Sequence, residues 1–202
     1  MGRPRDSQVD HAIASATREL LAECGYGGIT VAAVAARAGV GKAAIYRRHA
    51  TKQEMIFAAA VHGMDESAPP DGGSLRADLA AVVDTVAGQL GGAAPDVLHG
   101  LLADIHGDSR LAARFADTFL DRHRAILTEV LDRAVDRGEL DERPDPVTVQ
   151  ALLIGPVFYL LLVLGGGPER LPGLTAALVD SVADRLLDRT QQRARPRGRA
   201  RC

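Results

Sequence analysis

The basic side chains of the segment TVAAVAARAGVGKAAIYRRHATKQE, residues 30–54, are the part of this sequence best suited to binding an anion. Both lysines of the 202-residue chain, Lys42 and Lys52, fall here, beside Arg47 and Arg48. Lysine and arginine bind phosphate through charge and hydrogen bonds. Alanines and glycines are frequent among the neighbouring residues, and their small side chains let a phosphate backbone approach closely. These residue types predict a surface that contacts a polyanion.

The charge of the chain is unevenly distributed, although its net value is only −2. Residues 1–62 carry eight Lys/Arg and five Asp/Glu, whereas residues 63–188 carry ten and twenty-one. Residues 189–202 carry six arginines and no acidic residue. Basic ends around an acidic middle indicate that the ends, and not the middle, meet a polyanion.

Apolar residues recur at helical spacing along the chain, and no alternating pattern predicts a strand. We expect Ser7 or Asp6 to cap a first helix that stops at Gly25, because cap residues precede a helix and glycine commonly ends one. Further helices are expected at Thr30–Gly39, at about Gly41–Arg48, from the Thr51 capping box to about His62, and near 75–90, 95–106, 109–137, 145–165 and 171–191.

The two short helices of the basic segment have the features of a helix-turn-helix. Gly39 can take a positive φ at the sharp turn between them, and Val34, Ala38, Val40 and Ile45 form an inner apolar face. In such a motif the second helix enters the major groove of DNA. A solvated basic face is the competing interpretation for each residue taken singly. The cap, the turn glycine and the confined lysines together favour DNA binding.

Each polar residue of the segment has an expected role in that interface. Lys42 can reach a guanine edge or a phosphate, while Tyr46, Arg47 and Lys52 can donate to phosphates beside the groove. Thr30, at the start of the preceding helix, offers a hydroxyl and backbone N–H groups to another phosphate.

The stretch ITVAAVAARAGVGKAAIYRRHATKQEMI resembles the DNA-binding domain of the TetR/AcrR family of bacterial transcriptional regulators, and the likeness covers about residues 7–62. The resemblance implies an all-α chain in which a three-helix helix-turn-helix domain is joined to a helical-bundle dimerisation and effector domain. It also implies a homodimer that binds a palindromic double-stranded operator. The expected DNA-binding residues are Thr30, Val31, Gly41, Lys42, Ala43, Ala44, Tyr46, Arg47, Arg48, His49 and Lys52.

The segment departs from the family pattern in three places. Gly41 stands where serine is frequent, and Ala43 and Ala44 replace a common Gly-Thr pair, so hydroxyl groups are missing. His49 stands where Phe or Trp usually packs under the recognition helix. It either loosens the seat of that helix or provides a pH-sensitive contact.

We divide the chain at its Pro- and Gly-rich stretch. Residues 1–62 form the DNA-binding domain with its motif at about 30–49, residues 63–74 a linker, residues 75–191 the effector-binding and dimerisation domain, and residues 192–202 a disordered basic tail. Arg3 and Arg5 before the first helix either reach the minor groove or only solubilise the chain. The C-terminal arginines either add nonspecific DNA affinity or are inert.

By the same resemblance, the last two helices pack against their copies as a four-helix bundle. The run Ala151–Leu164 has 14 apolar or small residues, against the roughly 20 needed to cross a bilayer, so we expect a buried helix and no membrane. The expected dimer interface comprises Leu153, Val157, Leu160, Leu161, Leu178 and Val182.

An effector pocket is expected within the C-terminal domain, where aromatic residues are scarce. An apolar pocket would suit a small hydrophobic or amphipathic effector. The competing interpretation is that the aromatic residues form ordinary core. No cofactor is expected, and the histidines lack the partners of a metal site. The candidate lining residues are His99, Phe115, Phe119, His123, Phe158 and Tyr159.

The function favoured by these features is a dimeric repressor released from its operator by a small molecule. A ligand-independent regulator or an activator is the closest alternative. An enzyme with a DNA-binding appendage is disfavoured, because the sequence has no nucleophile elbow, phosphate loop or metal quartet. Cys24 and Cys202 form no disulfide framework, and the N-terminus lacks a secretory signal. A cytoplasmic protein, associated with the nucleoid when bound to DNA, is therefore expected.

Overall fold

The computed structural model of the chain describes residues 3–62, 69–91, 95–165 and 168–194, and these residues contain no strand. The expected all-α fold is confirmed. The predicted linker residues 63–68 and the predicted tail residues 195–202 lie outside the described residues. The helices are α1 (Arg3–Gly28), α2 (Val31–Arg37), α3 (Lys42–Tyr46), α4 (Lys52–Val61), α5 (Leu75–Gly91), α6 (Pro95–Gly107), α7 (Ser109–Phe115), α8 (Asp121–Asp136), α9 (Pro146–Phe158) and α10 (Leu171–Ala194).

The chain divides into two compact units. The first consists of Met1–Asp65 and Ala93–Leu120, and so contains α1–α4, α6 and α7. The second consists of Glu66–Gly92 and Asp121–Cys202, with α5, α8, α9 and α10. The helices of residues 95–120 therefore belong to the same compact unit as the helix-turn-helix.

Helix α1 begins earlier than predicted, and it is interrupted at the predicted position. It begins at Arg3 instead of after a cap at Asp6 or Ser7, so Arg3 and Arg5 lie inside the helix and not in a separate arm. At its other end the regular helix is interrupted at Gly25, as predicted, because Gly25 takes a φ of 68° and a ψ of −178°, and a short further helical stretch reaches Gly28.

The core of the first unit forms where α1, α2, α3 and α4 meet. Ile13 and Leu21 of α1, Val34 of α2, Ile45 of α3 and Ile56 of α4 are all buried in one apolar cluster. Val34 and Ile45 confirm the predicted inner face, whereas Ala38 and Val40 pack at its half-buried edge. Because α2 and α3 are too short to be stable alone, this shared core holds them in place.

The second unit is a bundle of α5, α8, α9 and α10 around a buried charge. Asp78 on α5 is fully buried and accepts hydrogen bonds from Arg137 Nη2 at 3.0 Å and from Gly72 N at 2.7 Å. Arg133 Nη1 donates to Pro69 O at 2.9 Å. These contacts attach the described end of the predicted linker to α5 and to the end of α8.

Two of the predicted C-terminal helices are interrupted. The helix expected over 109–137 is divided by a π-helical turn at Ala116–Leu120, and the helix expected over 145–165 ends in another at Tyr159–Val163. Helix α10 continues to Ala194, so residues 192–194 are helical and the predicted start of the disordered tail was wrong by three residues.

The apolar segment Pro146–Val163 is only partly buried in the bundle. Pro146–Val163 is long and apolar enough to cross a membrane by length and composition, with a mean hydropathy of 2.0 over 18 residues. Core helices of globular proteins meet the same two criteria. Here 39% of the segment is buried within the chain, which leaves an apolar face exposed.

Candidate nucleic-acid interface

The helix-turn-helix is held by two local hydrogen bonds and by the backbone conformation of Gly39. Thr30 Oγ1 accepts a hydrogen bond from Ala33 N at 3.1 Å and so caps α2, as its sequence position predicts. At the other end, Gly39 takes a φ of 67°, and Val40 N then donates to Ala35 O at 3.0 Å. This conformation favours glycine, so the turn depends on Gly39.

Helix α3 turns one side chain inward and its other side chains outward. Ile45 is 1% exposed and anchors the helix in the core, whereas Tyr46 is 54% exposed. Lys42 and Arg47 are exposed too, and Gly41 caps the helix without a side-chain hydrogen bond. Ala43 is exposed, while Ala44 is half-buried. The outer face of α3 therefore combines small residues with one tyrosine and two cations.

The Arg48 side chain is half-buried against α1 and is not fully exposed on the outer face of α3. Its Nε donates to Asp10 Oδ1 on α1 at 2.5 Å, and its Nη1 donates to Ala44 O at 3.2 Å. The side chain is only 20% exposed. The DNA contact expected of Arg48 stays a prediction, and the structure adds that this guanidinium holds the end of α3 against α1.

His49 follows the recognition helix, and its side chain is half-buried. Its Nδ1 is buried without a hydrogen-bond partner among the described residues. Burial lowers the pKa of His49, and the nearby Arg114 guanidinium lowers it further, although Asp10 and Glu54 act in the opposite direction. The DNA contact expected of His49 stays a prediction, and the structure adds that the side chain is half-buried near Arg114.

The first turn of α4 positions Lys52. Thr51 Oγ1 accepts from Glu54 N at 3.0 Å, as the capping box predicts. Glu54 Oε2 accepts from Ala50 N at 2.8 Å, one residue before the cap. Lys52 Nζ lies 5.7 Å from the centroid of the Tyr26 ring, within the range of a cation–π contact. No spacing pattern in the sequence predicted that Tyr26 lies beside Lys52.

The six candidate pocket residues do not form one pocket. Phe115 stacks on Phe119 with ring centroids 5.3 Å apart and meets Phe57 edge-on at 6.2 Å, so these rings are core of the first unit. His123 is buried and Phe158 half-buried in the second unit, whereas His99 is exposed. Tyr159 is 54% exposed, so it does not line an internal cavity.

A hollow of about 430 Å³ lies elsewhere in the second unit, between α5 and the start of α10. Thr175 Oγ1 donates to Asp84 Oδ1 at 3.2 Å, which places one polar pair in a mostly apolar wall. Gly88 and Gly91, three residues apart on α5, line this space, and the sequence analysis did not identify them. The hollow is lined by Asp84, Ala87, Gly88, Gly91, Leu171, Pro172 and Thr175.

The predicted dimer residues are mostly internal to the chain. Leu153 and Val157 are fully buried within it, which leaves their side chains no surface for a partner. The correction follows from helical spacing, because Leu152, Tyr159 and Val163 expose apolar side chains on the opposite face of the same helix. Leu160, Leu161 and Val182 are buried and Leu178 is half-buried, whereas the exposed residues are Val147, Leu152, Tyr159, Val163 and Leu164.

No group of three or more His, Cys, Asp or Glu is placed to hold a metal ion within the part of the chain that the structure describes. What the first unit does present is a short basic helix, seated on a core by Ile45 and Arg48, with an outward face of small, cationic and phenolic groups. This fold and surface define the class of helix-turn-helix DNA-binding proteins.

Comparison with known proteins narrows the class to a family. Residues 13–59 match the family described as "Bacterial regulatory proteins, tetR family", and residues 69–186 match the family described as "Tetracyclin repressor-like, C-terminal domain". The chain belongs to the TetR family of transcriptional regulators.

Curated relatives and solved structures agree with this placement. An uncharacterized HTH-type transcriptional regulator of Mycobacterium bovis is 32% identical over 180 residues, which cover 89% of this chain and 86% of the relative. YdeS of Bacillus subtilis, described in the same words, is 33% identical over 165 residues, 81% of this chain and 83% of its own. The crystal structure of the TetR family regulator SCO0332 aligns with a TM-score of 0.70 at 25% identity and covers 88% of this chain and 97% of its own.

A further crystal structure has a similar fold at lower identity. FadR of Bacillus subtilis, solved in complex with stearoyl-CoA, aligns with a TM-score of 0.57 at 20% identity and covers 88% of this chain and 97% of its own.

Proposed function

We propose that this transcriptional regulator is a dimeric repressor that binds a palindromic operator and is released from it by a small molecule. The outward face of α3 carries the proposal, because Lys42, Tyr46 and Arg47 are exposed around the buried anchor Ile45. Such a face can enter the major groove while its helix stays attached to the core.

The side chains of this face are proposed to contact different parts of the DNA. Lys42 lies in the first turn of α3, where recognition helices contact base edges, and its neighbour Ala43 keeps the approach close. Tyr46 and Arg47 lie at the end of α3 and are proposed to contact phosphates. Thr30 keeps its hydroxyl hydrogen for a phosphate oxygen, because its oxygen is the acceptor in the α2 cap.

Homodimerisation is proposed through the exposed face of α9 and the π-helical turn that follows it. Leu152, Tyr159 and Val163 are 50%, 54% and 67% exposed, and their spacing places them on one side of the helix. Burying this apolar stripe against its copy would remove it from water and pair two helix-turn-helix units. A two-fold dimer then predicts an operator of two half-sites about 34 Å apart, one turn of the double helix.

The proposed effector is hydrophobic or amphipathic. The hollow of about 430 Å³ in the second unit has a size within the usual range for ligand pockets. FadR has a related fold and binds stearoyl-CoA, which makes acyl-CoA thioesters a suitable first set of compounds to test. A regulator without a ligand, or an activator, is the alternative if no compound changes operator binding.

Selection of bound sequences from random duplex DNA tests the proposal. We expect the chain to enrich a two-fold symmetric sequence with half-sites one helical turn apart, and acyl-CoA to lower its affinity for the selected duplex. Enrichment of no sequence would contradict operator binding, and enrichment of a single half-site would contradict the dimer. Such a regulator would act in the cytoplasm, on the nucleoid, without catalysing a reaction.

A further inference from the structure

Three residues at four-residue spacing on α6 hold the side chain and backbone of Tyr26. Asp96 Oδ2 accepts a hydrogen bond from Tyr26 N at 3.0 Å, and Asp104 Oδ2 accepts one from the Tyr26 hydroxyl at 2.5 Å. Between them lies Gly100, where an added Cβ would be 2.3 Å from a Tyr26 ring carbon. Residues four apart share one face of a helix. Asp96, Gly100 and Asp104, named here the Tyr26 seat, thus bind one residue of α1 at three points.

The sequence around Tyr26 fits this seat. Gly25 has a φ of 68°, which favours glycine, and a Cβ there would be 2.6 Å from Asp96 Oδ2. The bend at Gly25 brings Tyr26 N to the Asp96 carboxylate. Burial raises the pKa of Tyr26, and the bond to Asp104 raises it further, so the hydroxyl keeps its proton and remains a donor.

The Tyr26 ring also meets a cation of the candidate DNA interface. Lys52 Nζ lies 5.7 Å from the ring centroid, and Lys52 is the first residue of α4. Because a lysine side chain has many rotamers, a fixed aromatic ring restricts where its ammonium can lie. Restricting the ammonium before DNA arrives reduces the ordering cost of binding.

We propose that Tyr26 is a positioning residue for DNA binding, through which α6 sets the place of the Lys52 ammonium. The inference rests on the proposed function, in which Lys52 contacts a phosphate. A displacement of α6 within the first unit would move the Tyr26 seat, then the ring, and then the cation. The operator affinity is thereby made sensitive to the position of a helix that itself need not touch DNA.

The substitution Gly100→Ala tests the seat with the smallest possible change. Its methyl group cannot coexist with the Tyr26 ring at 2.3 Å, so the ring must leave. Gly107→Ala on the same helix is the matched control, because a Cβ there meets nothing within 4 Å. Alanine favours a helix more than glycine does, so neither change weakens α6 through its intrinsic propensity.

The first measurement needs no DNA. The chain has only two lysines, so reductive methylation with ¹³C gives two lysine resonances, and Lys52→Arg identifies one of them by its loss. We expect the ring current of Tyr26 to separate the Lys52 resonance from that of Lys42. Gly100→Ala should remove the separation and Gly107→Ala should preserve it. An unchanged Lys52 resonance in Gly100→Ala would overturn the proposal.

The second measurement is affinity for the selected operator in a double-mutant cycle. Gly100→Ala is expected to weaken binding about threefold to tenfold in the wild-type background and to have no effect in Lys52→Ala. Equal losses in both backgrounds would show that Gly100→Ala damages the fold without acting through Lys52, and would overturn the proposal. Gly107→Ala is expected to leave affinity unchanged.

Tyr26→Phe is the milder variant if Gly100→Ala does not fold, as judged by circular dichroism. It keeps the ring and removes only the bond to Asp104, so we expect about a twofold loss of operator affinity that again disappears in Lys52→Ala.

Failure of the inference is distinguishable from failure of the proposed function. If the wild-type chain binds an operator and Lys52→Ala weakens it, but the cycle is additive, only the inference is overturned. If the wild-type chain selects no operator, both are overturned.

Discussion

Arg48 at the end of the recognition helix donates from Nε to Asp10 Oδ1 at 2.5 Å, and this ion pair joins the helix-turn-helix to α1. Arg48 is 20% exposed and Asp10 48% exposed, so the pair is shielded on one side only. Because α3 has five residues and a single buried side chain, Ile45, such a contact contributes to its orientation.

The substitution Asp10→Asn is expected to lower operator affinity about threefold, because it removes the ion pair between Arg48 and Asp10 that joins α3 to α1. A partly exposed pair contributes about 0.5 to 1 kcal/mol, so the free energy of unfolding falls only slightly. Glu23→Gln is the control, since it weakens the Arg37 ion pair of α2 without touching α3. Titration of a labelled operator measures the effect, and equal affinity in both variants would contradict it.

His49 gives the stability a defined pH dependence. Its folded pKa is lowered from the ordinary 6.5, first by burial and then by Arg114, with Arg48 acting in the same direction and Asp10 and Glu54 against it. The unfolded chain therefore binds the proton more readily. Stability is lost as pH falls through 6.5 towards the folded pKa.

The substitution His49→Phe removes this dependence. We expect the free energy of unfolding of the variant to fall less between pH 7 and pH 5 than that of the wild type. At pH 7 the variant is expected to be more stable by about 1 kcal/mol, because the unpartnered Nδ1 is gone. Denaturant titrations across this range measure both effects, and parallel curves for the two proteins would contradict the assignment.

Asp78 is the buried charge on which the second unit depends. Removing one partner of a buried ion pair leaves the other uncompensated, so Asp78→Ala is expected to cost about 3 to 5 kcal/mol of unfolding free energy. Asp71→Ala removes another partner of Arg137, at 2.7 Å, but Asp71 is 51% exposed, so a loss of at most about 1 kcal/mol is expected. Urea unfolding followed by circular dichroism compares the two, and similar losses would contradict the role of burial.

The exposed stripe of α9 predicts which side chains form the dimer. A lysine at Leu152 places a charge in the proposed interface, so Leu152→Lys is expected to sediment as a monomer. Val147 is equally exposed, at 50%, but faces another side of α9, so Val147→Lys should remain a dimer. A dimer in both variants would place the interface elsewhere.

The helix-turn-helix was predictable because its determinants are local. Thr30 caps α2 through the amide of Ala33, three residues away, and Gly39 turns the chain by its own conformation. The Tyr26 seat was not predictable, because Tyr26 and Asp104 are 78 residues apart and no spacing rule relates them. The same holds for Arg48, whose partner Asp10 lies on another helix.

The dimer residues were misassigned for a different physical reason. A helix that is apolar on nearly all sides shows no hydrophobic periodicity. The internal face, which contains Leu153, and the exposed face, which contains Leu152, could therefore not be distinguished from the sequence. The π-helical turns at Ala116–Leu120 and Tyr159–Val163 likewise leave no trace in the residue spacing.

The affinity of single-residue variants for the selected operator, measured as a function of salt, tests the proposed interface most directly. Tyr46→Ala and Lys52→Ala are expected to weaken binding about tenfold across sequences, and Lys52→Ala also to reduce the salt slope by about 1. Arg37→Ala is the control, since that cation is already paired with Glu19 and Glu23. Wild-type affinity and salt slope in both Tyr46→Ala and Lys52→Ala would contradict the interface.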